Sequence, residues 1–380
     1  MRSRQLFLFA ILLLILYSLS PSPLTSQNQP SANDFAALSK QAESARDANR
    51  LDAAVTLYKR ALALNPKWAE GWFSLGTIEY DRNNYAAAAR AFRRALPLAP
   101  KEGSAHAFLG LCEYELGDYD NALKHIDEAS ALGIAKNEQF RQVVLYHEGL
   151  LNLRKSRFEA ARESLGQICR ENTDIPDTVL AMGMTALRRA TALPATLTPP
   201  DSLVIPQVGH AACLTTAQKY DQARPAFAAI VSQYPDFPNI HYAYGRFLAE
   251  TNEVPAAVEQ FKLEIKNNPK DVTSRLEIAA NEYKLDSAAG IPYAEQALQL
   301  APNVMFAHYL LGLLYLDTGD FQNAIPHLEA AAKTFPKVPD IYYALSSAYS
   351  RAGRRQDSQN ALQTYTRLKK ETGDHAKATY

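Results

Sequence analysis

An all-α fold of stacked helical hairpins is predicted by three observations. Prolines recur at a fixed step: within the two runs Pro66–Pro100 and Pro235, Pro269, Pro302, Pro336, neighbours stand 33 or 34 residues apart. Small and bulky side chains fall in the same phase between these prolines, and Asn- or Gly-containing turns divide each unit in two. A period near 34 residues corresponds to one helix–turn–helix unit. A lone hairpin cannot bury its apolar face, so such units must stack.

The stretch from Ala69 to Pro100 shows the unit. Trp72, Leu75, Gly76 and Tyr80 share one face of a first helix, Asn83-Asn84-Tyr85 makes the turn, and Ala88, Phe92 and Ala95 share one face of a second helix. Pro100 stops that helix, since its ring clashes with the preceding turn. Gly76 and Ala88 keep the two axes within the usual ~8–10 Å, and Trp72, Tyr80 and Phe92 fill the space around them.

The register recurs along the chain. Ala54, Tyr58, Ala61 and Pro66 close an earlier unit; Leu109, Gly110, Ala122 and Ala129 mark a later one, and Gly149 with Ala161 a weaker one. Ala223, Phe227 and Pro235 close another. Tyr244, Gly245, Ala257, Phe261 and Pro269 form a strong copy, as do Leu311, Gly312, Tyr315, Ala324, Ala331 and Pro336, and Tyr342, Leu345, Tyr349 and Leu362 form the last. Two places depart. The turn near Asp286–Gly290 is compressed, with Ala294 in place of the usual aromatic. Between Pro176 and Ser202 the phase breaks: Val179–Leu193 is predicted as an apolar helix without an obvious partner, followed by Pro194, Pro199 and Pro200.

These residues resemble the tetratricopeptide repeat family over most of the chain. The resemblance implies a right-handed α-solenoid of about nine repeats, arranged as an array over 35–175, an irregular helix and Pro-rich connector over 176–202, a second array over 203–371 and a tail over 372–380. The main internal boundary is expected near residue 200.

The N-terminus has a different character. Arg2 and Arg4 precede an apolar run from Leu6 to Leu16, extended by Tyr17 and Leu19, and a Pro- and Ser-containing segment follows. This predicts a secretory signal over residues 1–26, with cleavage near Ser26, and a disordered lead-in over 27–34. The alternative is an uncleaved anchor through residues 6–19, although the apolar run is short against the ~20 residues a spanning helix needs. Forty basic and 40 acidic residues balance, which argues against nucleic acid or an anionic membrane surface as the main partner.

The remaining chemistry is sparse, and no cofactor or metal is expected. Cys112, Cys169 and Cys213 allow at most one disulfide, which an exported protein could form; small buried apolar packing is the favoured expectation for all three. His106, His241 and His308 occupy the position of Trp72 in their own repeats, and helices ~8–10 Å apart do not bring such residues onto one ion, so partial burial is expected. His147-Glu148 lacks the second histidine of a zinc-protease motif, Leu151 standing there. Asp118 and Asp120 follow Gly117 as Asp320 follows Gly319, which is turn chemistry. No nucleophile elbow, phosphate loop or CxxC pair occurs, so no enzymatic activity is predicted.

In tetratricopeptide arrays the first helix of each repeat lines the concave face, the usual ligand groove. The resemblance thereby places Asn239, Tyr242, Arg246, Arg275, Phe306, Tyr309, Leu313, Tyr343 and Ser347 on a partner-binding groove. Tyr and Arg are frequent at binding hot spots, and a stripe of Tyr242, Tyr309 and Tyr343 beside Arg246 and Arg275 suits an extended peptide with an acidic or aromatic side chain. Packing between repeats would account for the same tyrosines. The early repeats offer Phe73, Thr77, Asp81, Ala107 and Leu111, which look less committed to a ligand. The Lys and Asn that hold a C-terminal carboxylate in some family members have no counterparts at the matching positions. The leading expectation is an exported scaffold for protein–protein interaction. The alternative is a structural or assembly component of a cell-envelope complex, and an enzyme on a repeat scaffold has little sequence left to house it.

Overall fold

Helical hairpins form here because most units set one small residue against one bulky side chain. In the computed structural model, residues 32–134, 137–190, 197–283 and 285–377 are described, and they form nineteen α-helices and no strand. The chain divides into two units, Met1–Lys101 and Glu102–Tyr380. The first holds α1 (Ala32–Asp47), α2 (Leu51–Leu64), α3 (Ala69–Asp81) and α4 (Tyr85–Ala95), paired α1 with α2 and α3 with α4. The second opens with the hairpins α5 (Gly103–Glu115)/α6 (Tyr119–Leu132) and α7 (Glu138–Arg154)/α8 (Phe158–Glu171). It continues through α9 (Pro176–Ala186), α10 (Asp201–Thr216) and α11 (Tyr220–Gln233). It ends with the hairpins α12 (Ile240–Glu250)/α13 (Val254–Asn267), α14 (Val272–Glu282)/α15 (Ser287–Leu300), α16 (Met305–Asp317)/α17 (Phe321–Thr334) and α18 (Pro339–Arg351)/α19 (Arg355–Lys377).

The packing rule within a hairpin is one glycine facing one large residue. A Cβ added at Gly76 would lie 2.7 Å from the ring of Phe92, one at Gly245 2.6 Å from Phe261, and one at Gly312 2.6 Å from Leu328. Phe92 and Phe261 are fully buried, as are Tyr58 and Phe227 (within 2%). Each such side chain contributes roughly 1.5–3 kcal/mol by leaving water. The first helix ends in a residue of positive φ: Asn49, Asn83, Gly117, Ser156, Gln218, Asn252, Gly319 and Gly353 all hold this turn. Glycine and asparagine dominate because other side chains crowd the backbone there. The α14/α15 hairpin turns by another device: α14 ends at Glu282, and the Asp286 carboxylate accepts the N–H of Ala289 to start α15.

The phase break is a helix shared by two partners. α9 ends as a first helix does, with Arg188 N–H on Thr185 O and Arg189 N–H on Met184 O, the pattern that Asn83 and Asn84 make on Tyr80 and Glu79. No second helix of its own follows among the described residues. Instead α10 packs along α9 and then pairs with α11. The α9/α10 crossing is made backbone to backbone at Gly183 and Gly209. Cys169 of α8 and Cys213 of α10 are joined in a disulfide, Cα to Cα 5.0 Å, so they are bonded to each other and not merely packed; Cys112 is buried and free of a disulfide.

Several expected boundaries change. The units divide at Lys101 and not near residue 200, because the glycine crossing and the disulfide bind α8, α9 and α10 into one body. α9 stops at Ala186, short of the predicted Leu193, and Pro194 lies outside the described residues. α1 begins at Ala32, inside the expected lead-in, and α19 runs through Lys377, across most of the expected tail. The signal segment 1–26 lies outside the described residues.

The histidines at the Trp72 position each meet a partner nineteen residues on. His106 Nδ1 lies 3.3 Å from His125 Nδ1, His308 Nδ1 lies 2.8 Å from His327 Nδ1, and His241 Nδ1 lies 2.7 Å from Gln260 Oε1. A pair of facing imidazoles shares one proton, and a second would bring like charges together. Burial, then His308, lowers the pKa of His327, and Glu295 only partly opposes them. A depressed imidazole pKa stabilises the fold fully above the unfolded value of about 6.5, and that contribution is lost as pH falls toward the folded value. The melting temperature is therefore expected to fall between pH 7.5 and 5.5. His327→Gln, which copies the His241–Gln260 solution, should flatten that slope; an unchanged slope would dismiss the pair as its source.

Candidate functional site

The shared helix draws α8 toward α12, and a cleft opens between them. Its construction starts with Glu264 of α13, which is buried and accepts the backbone N–H groups of Asn239 and Tyr242 at 3.1 and 3.3 Å. Burial raises the pKa of that carboxyl, and the two N–H donors work against the rise. Asn239 stands before α12 with φ 64°, and its Nδ2 donates to Leu187 O at 2.9 Å. The end of α9 is thus fastened to the start of α12. Arg189 adds to this by pairing with Asp201 and lying over the Phe237 ring.

A line of ion pairs crosses the cleft. Arg246 Nη1 of α12 lies 3.1 Å from Glu159 Oε1 of α8 and 2.8 Å from Glu277 Oε1 of α14, while Arg162 Nη1 of α8 lies 3.3 Å from Glu250 Oε2. Burial disfavours the Arg246 charge, but Glu277, Tyr242 and Glu159 outweigh it and raise its pKa. Beneath this line is a cavity of about 60 Å³ walled by Phe158, Ala212, Phe227, Tyr242 and Phe247. Thr185, Thr215 and Thr216 also line it, but their hydroxyls donate to carbonyls of their own helices.

Arg188 occupies the mouth. Its guanidinium carbon lies 4.7 Å from the centre of the Phe158 ring and 5.4 Å from that of Tyr242, and Nη1 reaches the Tyr242 hydroxyl at 3.4 Å. Arg188 is half-buried, and no ion pair joins it to a carboxylate among the described residues. The three cleft-side glutamates, Glu159, Glu250 and Glu277, are all taken by Arg162 and Arg246.

The expected groove residues divide into three groups. Asn239, Tyr242 and Arg246 come together at this cleft, but with roles inside the protein. Asn239 fastens α9, Tyr242 is 4% exposed, and Arg246 is held by two carboxylates. Arg275 is also withdrawn from the surface, 7% exposed, with Nη1 on Asp271 O at 2.6 Å and Nε on Gln296 Oε1 at 3.1 Å. Tyr309 and Leu313 are half-buried against the α17–α18 core, and Ser347 is half-buried. Phe306 and Tyr343 are open, 50% and 59% exposed, with Tyr343 against Tyr365 at 5.4 Å between ring centres. Arg188 and Phe158, which the repeat register did not single out, line the cleft. Among the described residues no group of three or more His, Cys, Asp or Glu is placed to hold a metal, and no helix is long and apolar enough to cross a membrane.

The fold and its open first-helix positions define a class: an all-α repeat scaffold. Tetratricopeptide repeat models match residues 39–103, 77–135, 216–272 and 282–340, and a second such model matches 315–378. The chain belongs to the tetratricopeptide repeat family, and as such is a scaffold for protein–protein interaction. It is 28% identical over 140 residues to Superkiller protein 3 of Schizosaccharomyces pombe, a match that covers 34% of this chain and 10% of that protein. Among solved structures it is similar to MamA from Desulfovibrio magneticus RS-1, at 19% identity over 43% of this chain and 94% of that one, TM-score 0.38. It is also similar to YrrB, described as a TPR protein with an unusual peptide-binding site, at 17% identity over 46% of this chain and 92% of that one, TM-score 0.40. These two likenesses carry no argument about what this chain binds.

Proposed function

We propose that the protein is an exported scaffold that captures a segment of a partner protein along the first-helix positions of its second unit. The observation that carries this is the presentation of two large exposed aromatic rings, Phe306 on α16 and Tyr343 on α18. Rigid helices hold such rings ready, so a partner segment is the only component that must be ordered on binding. Two features support export. The charged start and short apolar run of residues 2–19 fit a secretory signal, and the Cys169–Cys213 bond fits an oxidising compartment.

A photo-crosslinking amino acid placed at 306 or 343 in the native host should yield discrete heavier adducts. The same probe at Leu263, an exposed position on the second helix α13, should yield none. Adducts made only between copies of this chain would favour an assembly component of a cell-envelope complex, and equal labelling from all three positions would sink the groove. Retention of the protein in the cytoplasmic fraction would sink the export half.

A further inference from the structure

We infer that the cleft between α8 and α12 receives a carboxylate carried on a short branched aliphatic group, with Arg188 as its receptor. This deepens the proposed capture of a protein segment and rests on it. The first ground is electrostatic. Three glutamates and three arginines face the cleft, but the glutamates are used by two of the arginines. Arg188 keeps a planar set of donors with one weak bond, 3.4 Å to the Tyr242 hydroxyl. Its guanidinium lies over the Phe158 and Tyr242 rings, and its planar donors suit a bidentate carboxylate partner.

The second ground is the shape and character of the space behind it. An engineered cavity of about 150 Å³ holds benzene. One of about 60 Å³ has room for a branched group of three or four carbons. Phe158, Ala212, Phe227, Tyr242 and Phe247 give it an apolar wall, the threonine hydroxyls there donate within their own helices, and the Glu159, Arg162, Arg246 and Glu250 groups that also line it are held in ion pairs.

The third ground is the backbone. Arg188 has φ 53° at the turn position that Asn49, Asn83, Asn252, Ser156, Gln218 or a glycine fills after other first helices, none of them charged. Arginine carries a conformational cost there, and its side chain supplies the cation at the cleft.

The disulfide-intact full chain, labelled at arginine nitrogens, would be titrated with isovalerate and with isovaleramide, following the Arg188 Nε–H resonance. The acid is expected to give a saturable shift and to bind at least ten-fold more tightly than the amide. Equal binding, or no saturation by the acid, would overturn the inference. Read by calorimetry, since the substitution removes the reporting group, Arg188→Asn should abolish isovalerate binding while the fold is kept, because Asn suits this turn, and Ala212→Leu should block binding by filling the cavity. Binding retained by both variants would also overturn it.

Two peptides then test whether a protein segment supplies the group: one ending in a free valine, and the same sequence amidated. Binding of the free acid alone supports the inference. Binding of neither, or of both equally, while isovalerate saturates, would sever the site from segment capture and overturn it. Crosslinks from position 343 that persist without carboxylate binding would fell this inference alone and leave the groove standing.

Discussion

Gly209→Ala is expected to destabilise the second unit by roughly 3 kcal/mol or more, the upper end of what overpacking costs. A Cβ at Gly209 would lie 1.8 Å from Val179 O and 2.9 Å from Gly183 N, and one at Gly183 would lie 2.1 Å from Ile205 O. Every one of those obstacles is backbone, so no rotamer change relieves the clash, and α9 and α10 must move apart. That motion would draw α9 from its fastening to Asn239 and open the cleft wall. Gly76→Ala offers the contrast: its obstacle is the edge of the Phe92 ring, which can tilt, and its cost should be smaller. Both tryptophans, Trp68 and Trp72, lie in the first unit. Urea unfolding of the Gly209 variant should therefore move the circular dichroism transition to lower denaturant while the tryptophan transition shifts little. Coincident, unshifted transitions would show that the crossing contributes no stability.

The repeats were legible because their physics is periodic. Gly76 with Phe92 and Gly245 with Phe261 are the same contact, sixteen residues apart in each copy, so spacing alone identifies both partners. The break at Pro176 was legible only as an absence of that spacing. Nothing in the register says that α10 packs along both α9 and α11, since this depends on Gly183 meeting Gly209 outside the roughly 34-residue period. The same limit applies to the cleft. The helix face predicts Tyr242 in the groove, but the turn of the helix that carries it places the ring inward, 4% exposed. The same face predicts Arg246 in the groove, whereas its carboxylate on α8, Glu159, is 87 residues away in sequence. Arg188 lies where the repeat fails, so the register does not reach it. Its one visible signal is a charged residue at a turn that uses asparagine, glycine, serine or glutamine elsewhere.

Breaking the Cys169–Cys213 bond should lower the stability of the second unit by up to about 4 kcal/mol. The bond closes a loop spanning 44 positions, and the chain-entropy account of a cross-link gives about 3 kcal/mol for a 15-residue loop and 4.7 for 100. That loop contains α9, with the glycine crossing and Arg188 itself, so reduction should loosen the cleft before it loosens the terminal hairpins. Both sulfurs are fully buried, and the double variant Cys169→Ala/Cys213→Ala keeps the site apolar, so the loss it shows measures mainly the cross-link. The effect should not add to that of Gly209→Ala, because both act on the same α8–α10 contact and neighbouring changes couple. With Cys112 the remaining cysteine, protein taken from its native host and denatured without reductant should titrate as one thiol per chain, rising to three on reduction. Three thiols before reduction would mean that the bond does not form in the cell. The oxidising compartment would then lose its structural support, and the cleft would have to be held by the glycine crossing and the Asn239 fastening alone.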